Sequence, residues 1–191
     1  MLSLLTGREK LLPRPKFSDI YRGFIGGSLS IFILLLLGHW TQNPIIMASF
    51  GASCVLLYAA PYSPLAQPRN ILFGHLLCAT VGMVTLKLFG AQMWSIALAV
   101  GVASALMQLL RCVHPPAGAN PLIILLSADA LDYPWHFLIF PVATGAIALI
   151  LIAWCVNNIA SQQKWPFYGL GLWQNGSAQP RSAEQVRGKN N

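Results

Sequence analysis

One stretch of eight residues carries the polar groups best placed to do chemistry inside an apolar region: His114-Pro115-Pro116-Ala117-Gly118-Ala119-Asn120-Pro121. Its prolines remove backbone donors, and Gly118 permits backbone angles that other residues resist. Asn120 followed by Pro121 is typical of a helix N-cap with a first-turn proline, which predicts a new helix over 122–126. Such a helix start carries unpaired N–H groups and partial positive charge, so it favours anions.

A second glycine–alanine pair, Gly51-Ala52, lies between Ser49 and Ser53, early in another short apolar segment. We expect it to break that segment and to start a second short helix near Ser53. Hydroxyl and amide side chains beside such helix starts can add donors for an anion. The predicted substrate-binding residues are Ser49, Gly51, Ala52, Ser53, His114, Gly118, Ala119 and Asn120. Pro115, Pro116 and Pro121 are expected to have structural roles.

The charges nearest the apolar segments are all positive: Arg69, Lys87 and Arg111. No Asp or Glu lies inside an apolar segment, whereas cation carriers usually need a buried carboxylate or a filter of carbonyl groups. This pattern favours an anion, which Arg69, Asn70 and Arg111 would attract to one mouth. The alternative is that both arginines mark the cytoplasmic face and extend their charges into water.

His114 has two interpretations, a neutral hydrogen-bonded residue at a helix break or a proton carrier. His75 lies in an apolar run and is interpreted as a packed residue. Cys112 stands two residues before His114, but this pair alone is a poor metal signature. The four cysteines are isolated in or beside apolar runs, which predicts free thiols. We therefore expect no metal and no cofactor.

The composition points to a membrane protein, with 55% hydrophobic and only 9% charged residues, against about 25% charged in soluble domains. The formal net charge of +7 comes mostly from the two ends of the chain. The positive-inside rule explains this distribution better than a nucleic-acid partner does. The expected partners are therefore the lipid bilayer and a small inorganic anion, with no nucleic acid.

The hydrophobic pattern predicts an all-α integral membrane protein with about six transmembrane segments. They lie at about 21–40, 44–60, 70–89, 92–111, 115–128 and 136–159. The second and fifth are short for a bilayer, which needs about 20 helical residues, and are the two short broken helices. Residues 1–20 are predicted to be a basic cytoplasmic tail and 21–160 the transmembrane domain. Residues 161–191 would form an interfacial aromatic segment (Trp165, Phe167, Tyr168, Trp173) and a disordered cytoplasmic tail.

The basic residues distinguish two topologies. If all six segments cross, Arg69, Arg111 and both tails lie on one side and only Lys87 lies opposite. If the second and fifth segments are re-entrant, four segments cross and both arginines lie outside. The first topology places one more basic residue inside, so we expect six crossings with both termini cytoplasmic.

A weak internal repeat accompanies this topology, because residues 50–57 lie over 117–124 with Gly51-Ala52 matching Gly118-Ala119. Three segments per half is an odd number, so the halves would be inverted in the membrane, as in many transporters. The chain would then be two inverted three-helix repeats. The alternative is two unrelated helices that each contain a glycine.

Three motifs resemble those of the HPP family of integral membrane proteins: residues 114–121, residues 47–53 and residues 63–70. They lie in the family's order, and the resemblance covers about residues 18–160. It implies a compact membrane protein, and some family members are linked to nitrite transport. The family is often given four membrane spans, which differs from the six expected from the charges.

The residues and the resemblance together predict transmembrane transport of a small monovalent anion, with nitrite as the substrate that the resemblance favours. Alternatives are a channel or carrier for formate, nitrate or a weak acid, and a non-transporting assembly subunit. No nucleophile elbow, phosphate loop or metal cluster is present, so no enzyme activity is expected. The expected location is a bacterial inner membrane, and small-residue helix faces predict a homo-oligomer.

Overall fold

The structure is a computed structural model that describes residues 14–42, 46–159, 161 and 164–170. It contains six α-helices, and no strand occurs among these residues. The helices are α1 (Phe17–Thr41), α2 (Ala48–Ala59), α3 (Pro68–Phe89), α4 (Met93–Leu109), α5 (Asn120–Leu126) and α6 (Thr144–Asn158). Short 3₁₀ segments cover Pro64–Ala66, Pro115–Ala119 and Trp135–Leu138, and a kinked π segment, Ile139–Ala143, leads into α6.

Three helical stretches are long and apolar enough to cross a membrane: Phe17–Thr41, Pro68–Phe89 and Trp135–Asn158. The stretches Ala48–Ala59, Met93–Leu109 and Pro115–Leu126 are apolar but shorter. Apolar side chains remain exposed around the outside of the bundle, for example Val55 and Leu151. Such surface belongs in lipid, because water would oppose its exposure. The expectation of an all-α membrane protein is therefore confirmed.

Consecutive helical stretches run in alternating directions. The Tyr58 ring, late in α2, lies against Gly26, early in α1, so these helices are antiparallel. Pro115–Leu126 runs parallel to α3, because Gly74 faces His114 while Gly82 faces Pro121.

The last helical stretch, Trp135–Asn158, packs antiparallel to α3. Trp135 lies 5.5 Å from Lys87 Nζ at the end of α3, and Asn157 donates to Leu57 O at the end of α2. We call the end of the bundle that carries Arg69 and Arg111 the arginine end, and the opposite end the lysine end.

Two glycines let Pro115–Leu126 approach α3 closely. A Cβ at Gly74 would lie 2.9 Å from His114 Cβ, and one at Gly82 would lie 2.9 Å from Pro121 Cα. Real Cβ atoms do not pack at such distances, so both positions need glycine. Both glycines are therefore close-contact positions between α3 and Pro115–Leu126.

Helix α4 ends in a Schellman motif formed without glycine. Cys112 N–H donates to Met107 O and Arg111 N–H donates to Gln108 O, with Arg111 at φ 55° in the left-handed region. The turn redirects the chain so that His114 enters the bundle beside α3.

Residues 164–170, which we call the strap, fold back over the loop between α2 and α3. Trp165 is buried and donates from Nε1 to Ala66 O. Its ring fills a space inside the arginine end, and the prediction that residues 161–191 include an interfacial aromatic segment stays a prediction. Trp173 and the predicted disordered tail lie outside the described residues.

Several predicted boundaries also change. Helix α1 begins at Phe17, inside the predicted tail 1–20, because Pro13 and Pro15 precede it and no helix breaker follows. Helix α2 is continuous through Gly51, so the first of the two expected breaks is absent and Ser53 lies in mid-helix. The second segment is irregular as expected, with a 3₁₀ segment before α5.

Candidate functional site

Four polar side chains with no exposed surface meet in the centre of the arginine half of the bundle: Ser53, His75, His114 and Asn120. They come from α2, α3, the residue immediately before the 3₁₀ segment Pro115–Ala119 and the start of α5. We call this set the polar cluster. Buried polar groups are tolerated only when hydrogen bonds satisfy them, and each such bond is stronger in a low dielectric. The cluster therefore specifies how these four segments fit together.

His75 is held from both ring nitrogens. Asn120 Nδ2 lies 3.1 Å from His75 Nδ1 and 3.0 Å from the His75 carbonyl oxygen. Ser53 Oγ lies 2.9 Å from His75 Nε2. The Phe50 ring packs edge-on against the imidazole, with the centroids 4.9 Å apart. The ring consequently has one fixed orientation.

His114 is also held from both sides. Its Nδ1 donates to the carbonyl oxygen of Leu65 at 2.8 Å, and its Nε2 lies 2.8 Å from Ser53 Oγ. The two imidazole centroids are 5.1 Å apart. A hydrogen-bonded histidine at a helix break was one of the two interpretations, and this arrangement is present. The geometry is equally compatible with a protonated ring.

Ser53 lies between the two histidines. Besides both Nε2 atoms, its hydroxyl lies 3.1 Å from the carbonyl oxygen of Ser49, one turn earlier in α2. A serine hydroxyl has a single proton to donate and two lone pairs. With three partners in range, this proton has a choice of acceptors.

The loop at the arginine end positions His114. Gln67 is fully buried, donates to Pro61 O and Ser63 O, and accepts from Phe167 N–H of the strap. These bonds hold the backbone on both sides of Leu65, whose carbonyl oxygen accepts the hydrogen bond from His114 Nδ1–H. The motif over residues 63–70 therefore acts on the cluster through the backbone.

Asn70 joins three segments rather than facing a mouth. Its Nδ2 donates to Val113 O at 2.7 Å, and its Oδ1 accepts from Tyr168 Oη at 3.1 Å. Burial raises the pKa of the Tyr168 phenol, while the nearby Arg69 charge acts in the opposite direction. Tyr168 thus stays protonated at neutral pH and remains a donor.

Arg69 and Arg111 lie at the same end, as predicted. The Arg69 guanidinium donates to the carbonyl oxygens of Leu110, Arg111 and Leu170 at 3.2–3.4 Å. It therefore links α3 to the end of α4 and to the strap, a structural role that the sequence did not reveal. Arg111 is exposed. Attraction of anions by Arg69, Asn70 and Arg111 stays a prediction.

A cleft of about 420 Å³ separates α2 from α5 at the lysine end of the cluster. It is lined by Ala48, Ser49, Ala52, Ala119, Leu122, Ile123, Leu126 and Ser127. Ala52 and Ala119 belong to the two matched glycine–alanine pairs, so both pairs contribute a residue to one cleft. None of its lining residues is acidic.

Two buried polar atoms beside this cleft have no hydrogen-bond partner, Ser49 Oγ and Asn120 Oδ1. Ser49 is 1% exposed and lines the cleft, whereas Asn120 is 0% exposed. An unsatisfied buried group costs about 1–3 kcal/mol, so native proteins seldom keep one without a reason. A small polar ligand in the cleft would satisfy Ser49.

Three predictions about the site residues are wrong. Asn120 is not an N-cap, because it has helical angles (φ −60°, ψ −44°) and the preceding 3₁₀ segment already supplies a helical start. Its amide binds His75 instead. Gly118 does not adopt a positive φ, and a Cβ there would meet nothing within 4 Å. Ser53 donates from a side chain in mid-helix and offers no helix N-terminus.

His75 was not among the predicted site residues, although it joins Ser53 to Asn120. Its position in an apolar run suggested packing, and it is packed, yet both ring nitrogens are bonded. One signal could have found it. The adjacent Gly74 could have indicated a close helix contact, because a small residue lets another segment approach.

The other predicted residues have simple placements. Gly51 and Gly118 have open space where a Cβ would lie. Pro115 and Pro116 open the 3₁₀ segment and Pro121 lies in the first turn of α5, as structural prolines. All four cysteines are free, as predicted. Over the described ranges, no group of three or more His, Cys, Asp and Glu could hold a metal.

The fold and the site define an all-helical membrane protein with a buried polar cluster at a helix break. The transmembrane region of the HPP family matches residues 12–166, and the chain belongs to this family. The resemblance of the three motifs is thereby confirmed.

Relatives include two transmembrane proteins of Dictyostelium discoideum. One is 36% identical over 170 residues and the other 34% identical over 171 residues, each covering 85% of this chain. The chain spans only 55% and 60% of their respective lengths. No solved structure matches the chain.

Proposed function

We propose that the protein transports a small monovalent anion across a membrane, with nitrite as the substrate that the family resemblance favours. The observation that carries this proposal is the cleft between α2 and α5, to which both glycine–alanine pairs contribute an alanine. Its one buried hydroxyl without a partner, Ser49 Oγ, is a donor for an anion at the cleft wall. The proposal assigns no enzymatic activity.

The electrostatics of the described residues support an anion rather than a cation. Asp129 and Asp132 are exposed, and Asp19 pairs with Arg22 at the start of α1. The polar cluster instead offers imidazoles, which are neutral or positive. A permeating cation would meet no buried carboxylate in these segments.

We propose that all six helical stretches cross the membrane, with both termini cytoplasmic. The alternating directions support this, because the arginine end gathers the starts of α1 and α3 and the ends of α4 and α6. The shorter stretches would cross where the bilayer becomes locally thinner around them. A bacterial inner membrane remains part of the proposal, although both reported relatives come from Dictyostelium discoideum.

The inverted repeat belongs to the same proposal. Ser53 and Asn120 occupy matching positions in the two halves, and they bind opposite nitrogens of His75. Helix α2 runs toward the arginine end while Pro115–Leu126 runs away from it. Opposite directions at matching positions are what an in-plane two-fold axis would produce.

Energetics decide whether a proton must accompany the anion. Moving one negative charge inward against an inside-negative potential costs about 2.3 kcal/mol per 100 mV. Concentrative uptake therefore requires a coupled cation such as a proton, whereas efflux runs downhill. The histidines of the cluster are the groups that could supply that proton.

The lining of the cleft favours a second candidate substrate, the undissociated form of a small weak acid. Six of its eight lining residues are Ala, Leu or Ile, and the other two are Ser49 and Ser127. Such a wall tolerates a neutral solute better than a bare ion. Competition by formate and nitrate at several pH values separates the two, because only a weak acid's neutral form vanishes as pH rises.

Nitrite flux into liposomes containing the purified protein tests the proposal. Ala52→Leu and Ala119→Leu fill the cleft from its two walls and are expected to abolish flux. Val55→Leu is the matched control, because Val55 lies on α2, is 68% exposed and lies outside the cleft. Equal flux in the unmodified protein and all three variants would contradict a pathway through the cleft.

The homo-oligomer also remains a proposal. The cleft opens beside exposed apolar residues, including Leu126 at 69% exposure, and a second copy or lipid would cover them. If no solute moves and a stable membrane partner is recovered instead, the assembly-subunit alternative replaces transport.

A further inference from the structure

We propose that His114 is the proton-binding group of this protein, that His75 is held permanently neutral beside it, and that the Ser53 hydroxyl reorients to accommodate the proton. This goes beyond the transport proposal, because it assigns one histidine, one ring nitrogen and one reorienting group. Its role in coupling rests on the proposed function, whereas the protonation site itself does not.

The orientation of the Asn120 amide determines the state of His75. Asn120 faces both the His75 carbonyl oxygen and His75 Nδ1. The carbonyl oxygen can only accept, so the Asn120 NH₂ group must be on that side. His75 Nδ1 therefore accepts and carries no proton, and the proton of neutral His75 is on Nε2, pointing at Ser53 Oγ.

The Leu65 carbonyl determines the state of His114 in the same way. A carbonyl oxygen 2.8 Å from Nδ1 requires a proton on Nδ1. In the neutral ring, Nε2 then has a free lone pair facing Ser53 Oγ at 2.8 Å. His114 Nε2 is thus the histidine nitrogen of the cluster that can take a further proton without meeting another donor.

The Ser53 hydroxyl can form hydrogen bonds with both histidines whether His114 is neutral or protonated. With His114 neutral, the Ser53 hydroxyl accepts from His75 Nε2 and donates to His114 Nε2. When a proton binds His114 Nε2, a new N–H bond forms and points at Ser53 Oγ. The hydroxyl proton rotates to the Ser49 carbonyl oxygen at 3.1 Å, and Oγ accepts from both rings. The bond from Ser53 to His114 reverses its direction, and Ser53 gains a bond to the Ser49 carbonyl oxygen. The proton comes from a hydronium ion, whose O–H bond breaks to leave water, so no covalent bond within the protein breaks and the cluster gains one positive charge.

Protonation of His75 would be opposed. A proton on Nδ1 would face the Asn120 NH₂ group at 3.1 Å, so two donors would point at each other. Turning the amide over would instead place Oδ1 against the His75 carbonyl oxygen. The cluster therefore favours protonation of His114 over protonation of His75, although the two ring centroids lie only 5.1 Å apart.

Few other charged groups act on His114. The segments packed around it carry Cys54 and Tyr58 on α2; Arg69, His75, Cys78 and Lys87 on α3; Tyr62, Arg111 and Cys112 in the loops; and Tyr168 in the strap. None of these is a carboxylate. A proton on His114 would thus lack a protein counter-charge, and an anion in the adjoining cleft near Ser49 would supply it.

Nitrogen NMR of histidine tests the assignment directly. The background His39→Gln with His136→Gln removes the two exposed histidines and leaves His75 and His114 alone. We expect one ring protonated at Nε2 and the other at Nδ1, with only the second becoming doubly protonated on acidification. Asn120→Leu should shift the first ring, which assigns it to His75. Two identical tautomers, or double protonation of the ring that Asn120→Leu shifts, would overturn the proposal.

Flux measurements test the role of the proton separately. With a pH indicator inside the liposomes, Ser53→Ala should lower proton movement that accompanies nitrite by about tenfold, the effect of one lost hydrogen bond. Ser53→Thr keeps the hydroxyl and should restore it. Unchanged coupled proton movement in Ser53→Ala would overturn the role of the hydroxyl. Absence of nitrite flux alongside the expected NMR pattern would overturn the transport function and leave the protonation site standing.

Discussion

Polar side chains in and beside the polar cluster divide into satisfied and unsatisfied groups. Both ring nitrogens of His75 and His114 have partners, whereas Ser49 Oγ has none. Satisfied groups stabilise one arrangement of the helices, and an unsatisfied one reduces stability. Under the proposed function, a ligand in the cleft would bind this hydroxyl and offset its cost.

Ser49→Ala is therefore expected to raise the stability of the ligand-free protein by about 1 kcal/mol while it lowers nitrite flux. Thermal unfolding in detergent and liposome flux measure the two effects. The matched control is Ser95→Ala, because Ser95 is equally buried but forms a capping box with Gln92 at the start of α4. That variant should lose about 1 kcal/mol. A loss of stability in Ser49→Ala would show that its hydroxyl has a protein partner.

At the scale of elements, close packing of Pro115–Leu126 on α3 brings His114 and Asn120 to His75. This packing depends on glycines at positions where no side chain fits. The strap and the loop over residues 61–67 then hold the arginine end, through the bonds of Gln67 and the ring of Trp165. The cluster consequently depends on contacts outside itself.

Gly82→Ala should destabilise the protein by about 1–3 kcal/mol, because its Cβ would lie 2.9 Å from backbone that cannot easily move. Gly118→Ala is the control. It has open space and no positive φ, and alanine is the better helix former. Unfolding temperatures in one detergent compare the two. Equal stability of the Gly82→Ala variant and the unmodified protein would contradict the close contact.

Trp165→Ala should free the strap and cost about 3–5 kcal/mol, since the ring is 2% exposed. Hydrogen exchange of residues 164–170, followed by mass spectrometry, should show faster exchange in this variant. Phe167→Ala removes a neighbouring ring that is 54% exposed and should change exchange much less. Slow exchange after loss of Trp165 would mean that other bonds suffice to hold the strap.

For the whole molecule, the alternating helix directions are a reason for proposing six crossings rather than four. Six crossings place Arg111 on the side of the termini and Lys87 opposite, while four crossings reverse both positions. The arrangement of basic side chains and the direction of each helix favour the same answer.

Single cysteines at Arg111 and Lys87, introduced after Cys155→Ser removes the exposed native thiol, make this testable in intact cells or sealed vesicles. A membrane-impermeant thiol reagent added outside should label Lys87→Cys and leave Arg111→Cys unlabelled until the membrane is opened. The buried Cys54, Cys78 and Cys112 are expected to stay unreactive. Labelling of Arg111→Cys from outside would favour four crossings.

The sequence by itself determined the membrane class, the helical segments and the HPP motif, because these depend on composition, hydrophobic runs and prolines that act locally. The partners of each polar side chain were decided only by the tertiary structure. Asn120 resembled a helix cap until His75, 45 positions away, supplied a carbonyl and a ring nitrogen as acceptors. Arg69 resembled a free cation until Arg111, 42 positions away, supplied a carbonyl acceptor. His75 gained its importance in the same way, because hydrogen bonds between distant segments depend on how helices pack, and no local pattern encodes that.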